Sequence, residues 1–154
     1  MMVNPMEQAK QALCERILQA AERAAAAGEL PSAALNGSAE QPKDTANGDL
    51  AANHAMASAK VMRMAPRRIA EAIVKHLDLS DSWFKSAEIA GPGFLNFRLS
   101  DKWYQDVIAS VEAAGADFGR SDVGHGERVM VEFVSANPTG PMTIKYFIIF
   151  YCRS

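Results

Sequence analysis

The segment WFKSAEIAGPGFLNFRL, residues Trp83–Leu99, decides the fold of this chain because it has the pattern of a β-hairpin. Gly91-Pro92-Gly93 lies near its centre, where two glycines and a proline indicate a turn. The stretches on either side, Trp83–Ala90 and Gly93–Leu99, are predicted to be strands.

The second strand of the hairpin has two different faces. Leu95, Phe97 and Leu99 point to one side as a predicted core face, whereas Phe94, Asn96 and Arg98 point to the other. An exposed ring can stack on an unpaired base, an amide can read a base edge, and a guanidinium can meet a phosphate. These three residues are therefore candidate RNA-binding residues. The alternative is that a helix covers Phe94 and that Asn96 and Arg98 are ordinary surface residues.

Helical patterns lie on both sides of the hairpin. Asn4 suits the N-cap of a first helix, Pro5 its first position, and Glu7 the spacing of a capping box, while Gly28 ends it. A loop over residues 29–49 follows, with a short strand suggested near Ala33–Leu35. Further helices are predicted from Leu50 to Met64, from Pro66 onwards, and from Ser100 to Ala114.

The stretch after the last helix indicates a change of domain. Residues 116–127 are rich in glycine and charge and are predicted to be a linker. Arg128–Val134 is apolar almost throughout, as in a buried strand of an α/β fold. Glu132 within it needs a cation or hydrogen-bond donors if the strand is central, or lies in water if the strand is at an edge. The loop Ser135–Pro141 comes next, at the strand end where open α/β sheets bind ligands, and is either a ligand-binding loop or a plain rigid turn.

Composition narrows the function classes. The chain has 154 residues, 49% of them hydrophobic, and a formal net charge of −2, so RNA binding requires a local basic patch. The most basic stretch contains Lys60, Arg63, Arg67, Arg68 and Lys75, which either meets a phosphate backbone or is a solvated helix face.

Two cysteines without ligand spacing argue against a disulfide framework or zinc site. We expect a cytoplasmic protein without signal peptide or membrane span.

The three histidines are weak signals for chemistry. His54 and His76 fall in helical stretches, where packing or surface roles are expected. His125 lies in the predicted linker and is expected to be exposed to solvent.

Several motifs together resemble one family. Val131–Pro141, VEFVSANPTGP, resembles the strand and loop that open the catalytic domain of bacterial arginyl-tRNA synthetases. Gly48–Asn53 with Ala55-Met56, then Pro66–Ala70, are similar to parts of the N-terminal domain of that family, and Ile89–Phe97 to its hairpin. The resemblance implies an α+β fold: a small N-terminal helix and antiparallel-sheet domain over residues 1–115, the linker 116–127, and the first strand and loop of a Rossmann-type catalytic domain over residues 128–142.

The resemblance also implies roles for matched residues. The family's N-terminal domain touches the D-loop of tRNA, which implies tRNA contacts for Phe94 and Asn96, with Arg98 beside them. The loop after the first catalytic strand helps to hold the substrate, which implies arginine binding by Ser135 and Asn137, together with Glu132. The resemblance further implies a parent enzyme that joins L-arginine to its tRNA through an adenylate and uses ATP and Mg²⁺.

The chain departs from the family after Met142. The family continues with a His-x-Gly-His signature that contacts the ATP phosphates, whereas this chain has Thr143-Ile144-Lys145-Tyr146. Residues 143–154 are interpreted as an aberrant tail from a frameshift or gene-model error. We therefore expect a monomeric N-terminal fragment that neither aminoacylates tRNA nor binds ATP and Mg²⁺ well, with a catalytic strand that finds no sheet to join. The alternative is a stand-alone RNA-binding module with a genuine ending.

Overall fold

The computed structural model describes residues 4–32, 35–120, 124–132 and 150–153. The chain divides into two compact units, one spanning Val3–Gly119 and the other comprising Met1–Met2 and Arg120–Ser154. The first unit combines helices with an antiparallel sheet, which confirms the predicted α+β class.

Helix α1 spans Pro5–Ala26 and begins as its sequence predicts. The Asn4 side-chain oxygen accepts hydrogen bonds from the backbone N–H groups of Met6 and Glu7, at 3.1 and 3.2 Å. Two N–H groups that lack partners within the helix are thereby satisfied. In a full capping box the Glu7 carboxylate would also accept a hydrogen bond from the backbone N–H of Asn4. Here that bond is not formed, and the carboxylate binds Lys10 Nζ at 3.2 Å.

The sheet of the first unit contains strands β1 (Ala39–Glu40), β2 (Leu50–Ala52), β3 (Phe84–Ala90) and β4 (Phe94–Leu99) in the order β1-β2-β4-β3. All pairs are antiparallel. The predicted hairpin is confirmed to within one residue at each strand. The short strand suggested near Ala33–Leu35 falls partly outside the described residues, and the strand in this loop lies later, at Ala39–Glu40.

Strand β2 corrects the prediction of a helix starting at Leu50. Leu50 pairs with Phe97 in β4, so this segment belongs to the sheet. Its position depends on Gly48, where an added Cβ atom would lie only 2.6 Å from the Phe97 carbonyl oxygen. The next residue, Asp49, accepts a hydrogen bond from the Leu99 N–H at 2.8 Å. These contacts with a strand far along the chain override the helical preference of the alanines.

The remaining helices are α2 (His54–Met62), α3 (Pro66–His76) and α4 (Asp101–Ala114). Helices α1, α2 and α3 cover one face of the sheet, where they form a core with its apolar side chains; the largest fully buried members are Leu13, Ile17, Leu50, Ile69, Ile73, Leu95 and Phe97. The opposite face of the sheet, which we call the open face, carries Phe94, Asn96 and Arg98.

Helix α4 is attached differently from the others, because none of its residues is buried. Trp103 packs partly against the core, and the Trp83 indole N–H donates a hydrogen bond to the Asp106 carboxylate at 2.8 Å. The Lys102 ammonium binds the same carboxylate at 2.7 Å, and these two donors lower the pKa of Asp106.

In the second unit, strand β5 (Val129–Glu132) pairs antiparallel with β6 (Phe150–Arg153). The expectation that this strand finds no partner is therefore wrong. Its predicted burial is also wrong, since Val129 is 45% and Met130 68% exposed. A two-stranded ribbon lacks the layers that would cover both faces.

Among the helices that the structure describes, none has the length and apolar character that a membrane span requires.

Candidate nucleic-acid interface

The open face contains a depression of about 500 Å³ whose position follows from the register of the strands. Glu40, Ala51, Asn96 and Glu88 lie side by side across the four strands, and Phe94 pairs with Ala90. Because Ala51 and Ala90 have the smallest side chains of these neighbours, the surface is low beside Phe94 and Asn96.

The wall facing the hairpin comes from the segment between β1 and β2. This segment contains a 3₁₀ turn, Thr45–Asn47, in which the Asp44 side chain caps the backbone N–H of Ala46 at 2.9 Å. Together the hairpin and this segment line the depression with Ser38, Glu40, Gln41, Pro42, Lys43, Asn47, Ala51, Asn53, Ala90, Gly91, Phe94 and Asn96.

Phe94 is 39% exposed at the edge of the depression. The alternative that a helix covers this ring is therefore wrong. A partly exposed ring beside a cavity presents a flat apolar surface on which a base can stack.

Amide side chains line the same depression as the ring. Within the described part of the chain, the side chains of Gln41, Asn47 and Asn96 have no hydrogen-bond partner. Asn53 differs, since its side-chain oxygen accepts from the Ser38 N–H at 2.8 Å and its amide nitrogen donates to Ser38 Oγ at 3.3 Å. Asn53 therefore holds the wall in place, while the other three amides retain both donors and acceptors for a ligand.

Arg98 is the predicted residue that does not reach this depression. Its guanidinium donates a hydrogen bond to the Ala46 carbonyl oxygen at 3.4 Å, and it is absent from the lining. Phe94 and Asn96 are thus brought together, whereas Arg98 lies outside them on the same strand.

The basic stretch of the sequence is partly engaged in ion pairs. Lys75 binds the Glu29 carboxylate at 2.5 Å, and this hydrogen bond lowers the pKa of Glu29. Arg67 binds Glu71 at 3.4 Å. In the described residues, Lys60, Arg63 and Arg68 are exposed without an ion pair, and none of the five lines the depression.

No histidine of the described residues lines the depression. His54 is buried at the start of α2 with its Nδ1 atom unpartnered in the described structure, and burial lowers its pKa. The Nε2 atom of His76 lies 3.4 Å from the Glu29 carboxylate. His125 is exposed, as predicted.

The predicted arginine-binding residues fall mostly beyond what the structure describes. The backbone of Glu132 ends β5 opposite Phe150. Ser135 and Asn137 lie outside the described residues, as do Thr143–Tyr146.

Gln41, Lys43 and Asn47 are among the lining residues that the sequence pattern did not single out. They stand in a loop without periodicity, and their position depends on β2 pairing with β4. The signal that could have indicated them is the polar loop with Pro42 and Asn47 that precedes β2.

Comparison with known proteins gives a consistent result. The family model described as the arginyl tRNA synthetase N terminal domain matches residues 8–99. An arginine–tRNA ligase of Symbiobacterium thermophilum is 47% identical over 139 residues, which cover 90% of this chain and 25% of that protein. The arginine–tRNA ligase of Bacillus subtilis is 44% identical over 142 residues, 91% of this chain and 25% of the relative. The chain thus spans about a quarter of the length of these relatives.

A solved structure shows a similar fold. The arginyl-tRNA synthetase of Plasmodium falciparum superposes with a TM-score of 0.51 and 13% sequence identity, over 69% of this chain and 18% of that one. At this identity the likeness concerns the fold alone.

Proposed function

Because the chain belongs to the arginyl-tRNA synthetase N-terminal domain family, we propose that it binds tRNA, through the open face of its sheet. The observation that carries the proposal is the depression in which the exposed Phe94 ring stands beside three amides without partners. An unpaired base needs both features, a flat apolar surface and neutral groups that donate and accept hydrogen bonds.

The exposed ring of Phe94 and the half-buried Asn96, both in the lining of the depression, support their assignment as tRNA-contacting residues. A base stacked on Phe94 would place its edge toward Asn96, which lies two residues further along the same face of β4. Arg98 remains a proposed contact outside the depression, for an adjacent phosphate, with the guanidinium released from its long bond to Ala46.

Truncation of the ring tests the proposal. Phe94→Ala is expected to weaken binding of the arginine-accepting tRNA by about 1–3 kcal/mol, the usual contribution of one stacked base. Tyr104→Ala is the matched control, because Tyr104 is also an exposed aromatic residue, 48% accessible, but lies on α4. Unchanged affinity in a folded Phe94→Ala protein, or an equal loss in the control, would contradict the proposal.

The ligase activity of the relatives is a proposal for the parent protein only. We propose that this chain does not form arginyl-adenylate, because Thr143-Ile144-Lys145-Tyr146 lacks the imidazoles and glycine of the family signature that meets ATP. For the same reason we propose that it does not hold ATP and Mg²⁺ well. Arginine-dependent exchange between ATP and pyrophosphate, measured on the purified chain, should be absent, and measurable exchange would refute this proposal.

Glu132, Ser135 and Asn137 remain the proposed arginine-contacting residues. Calorimetric titration with L-arginine, comparing the chain with its Asn137→Ala variant, tests them. An arginine–tRNA ligase is 47% identical to this chain over 90% of its residues. This similarity favours the interpretation as a fragment of such an enzyme over a stand-alone RNA-binding module.

A further inference from the structure

Lys43 is a cationic residue in the lining of the depression. It follows Pro42 in the segment between β1 and the 3₁₀ turn, and its side chain is exposed. Within the described part of the chain no carboxylate pairs with it, although Glu40 also lines the depression. The ammonium group is therefore available to a ligand that occupies the cavity.

The charges around the depression are unevenly placed. On the β3 side, the exposed Glu88 lies directly beside Asn96 in the register of the sheet. A phosphate near Glu88 would be repelled, whereas a phosphate near Lys43 would be attracted. Glu40 of β1 is an exposed carboxylate on the other side of the depression, so the attraction is local to the Lys43 ammonium and not to that whole side. The arrangement that avoids both carboxylates has the ring on Phe94 and the phosphate at Lys43.

Arg98 does not place its positive charge inside the depression. Its side chain is directed to the Ala46 carbonyl oxygen and it is not a lining residue. A nucleotide in the depression would thus find its nearest lining cation in Lys43.

We infer that Lys43 binds the phosphate of the nucleotide whose base stacks on Phe94, and that Gln41 and Asn47 on the same wall contact the edge of that base. This inference rests on the proposed function, since it deepens the binding mode of the same site. It makes the β1–β2 segment the second half of a two-sided nucleotide clamp, in which the hairpin is the first. Lys43 acts here as a binding residue.

The dependence of tRNA affinity on salt tests the role of Lys43. Each phosphate contact in a single strand contributes about 0.7 to the slope of log affinity against log salt concentration. Lys43→Gln is therefore expected to lower affinity about threefold more at about 50 mM salt than at about 200 mM salt. Lys43→Arg should retain the wild-type slope, because it preserves the charge.

Lys10→Gln is the matched control, since it removes the same charge from α1, where Lys10 binds Glu7 on the other side of the sheet. An unchanged slope in Lys43→Gln, or an equal change in the control, would overturn the inference. If Phe94→Ala weakens binding but Lys43→Gln leaves the slope intact, the proposed function stands and this inference fails. If neither variant has an effect, the proposed function fails as well.

A competition experiment separates nucleic acid from other anions. An acidic peptide of glutamates should not displace tRNA from the wild-type chain at the concentration at which a short single-stranded RNA does. Displacement by both to the same extent would show that Lys43 attracts anions without a nucleotide site, and would also overturn the inference.

Discussion

Gly93 and Pro66 are in direct contact: a Cβ atom added to Gly93 would lie 2.9 Å from both the carbonyl carbon and the Cβ atom of Pro66. The hairpin turn therefore packs against the first turn of α3. Gly93 also has a φ of 144°, which L side chains rarely adopt. This contact fixes the end of the hairpin from which Phe94 projects.

Gly93→Ala is expected to destabilise the fold by about 1–3 kcal/mol, because backbone atoms of Pro66 must move and the φ angle is strained. Gly91→Ala is the comparison, since Gly91 also has a positive φ of 53° but nothing lies within 4 Å of an added Cβ atom. Urea unfolding of both variants measures the difference. Equal losses of stability would show that the approach to Pro66 contributes nothing.

Ala51→Leu is expected to fill the floor of the depression and weaken tRNA binding by about 1–3 kcal/mol, as loss of a stacked base would. The side chain of Ala51 faces the depression and not the core, so the unfolding free energy should change little. Ala57→Leu, on an exposed position of α2, is the control for added apolar surface. Wild-type affinity in a stable Ala51→Leu protein would argue against a base in this cavity.

Burial of His54 makes stability sensitive to pH. Its folded-state pKa lies below the ordinary 6.5, because burial disfavours the charged imidazole. The unfolded chain therefore binds more protons once the pH falls below 6.5, so stability is complete above this value and decreases as the pH falls toward the folded-state pKa. The lowered pKa values of Glu29, Asp78 and Asp106 affect the free energy of unfolding only below about pH 4.5.

His54→Gln should accordingly lose less stability than the wild type between about pH 7.5 and pH 5 in urea unfolding. His125→Gln, in an exposed loop, should retain the wild-type dependence on pH. An equal loss of stability in all three proteins over this pH range would exclude His54 as the source of the pH dependence.

The contact between Trp83 and Asp106 is expected to hold α4 in place. Asp106→Ala removes the acceptor of the indole N–H, and backbone amides of α4 should then exchange hydrogen faster because the helix has no buried residue of its own. Lys102→Gln, which removes only the exposed ion pair with the same carboxylate, should have little effect. Hydrogen exchange detected by mass spectrometry measures the exchange rates of these backbone amides.

The parts of the fold that the sequence predicts are those determined by neighbouring residues. The hairpin follows from the alternation around Gly91-Pro92-Gly93, and α1 from the capping oxygen of Asn4. Strand β2 escaped prediction because its alanines favour a helix locally, while pairing with β4 is a contact between residues far apart in the chain. The same long-range pairing brings Lys43 and Asn47 to Phe94, so the second wall of the candidate site had no local signature.

The measurement that tests tRNA binding by the open face most directly is an NMR titration of the ¹⁵N-labelled full chain with the arginine-accepting tRNA. Progressive shifts of the backbone amides of Lys43, Ala51, Phe94 and Asn96 are expected, with α1 unaffected because it covers the other face of the sheet. Shifts confined to α1 and α3, or no shifts while the tRNA is in excess, would contradict binding at this face.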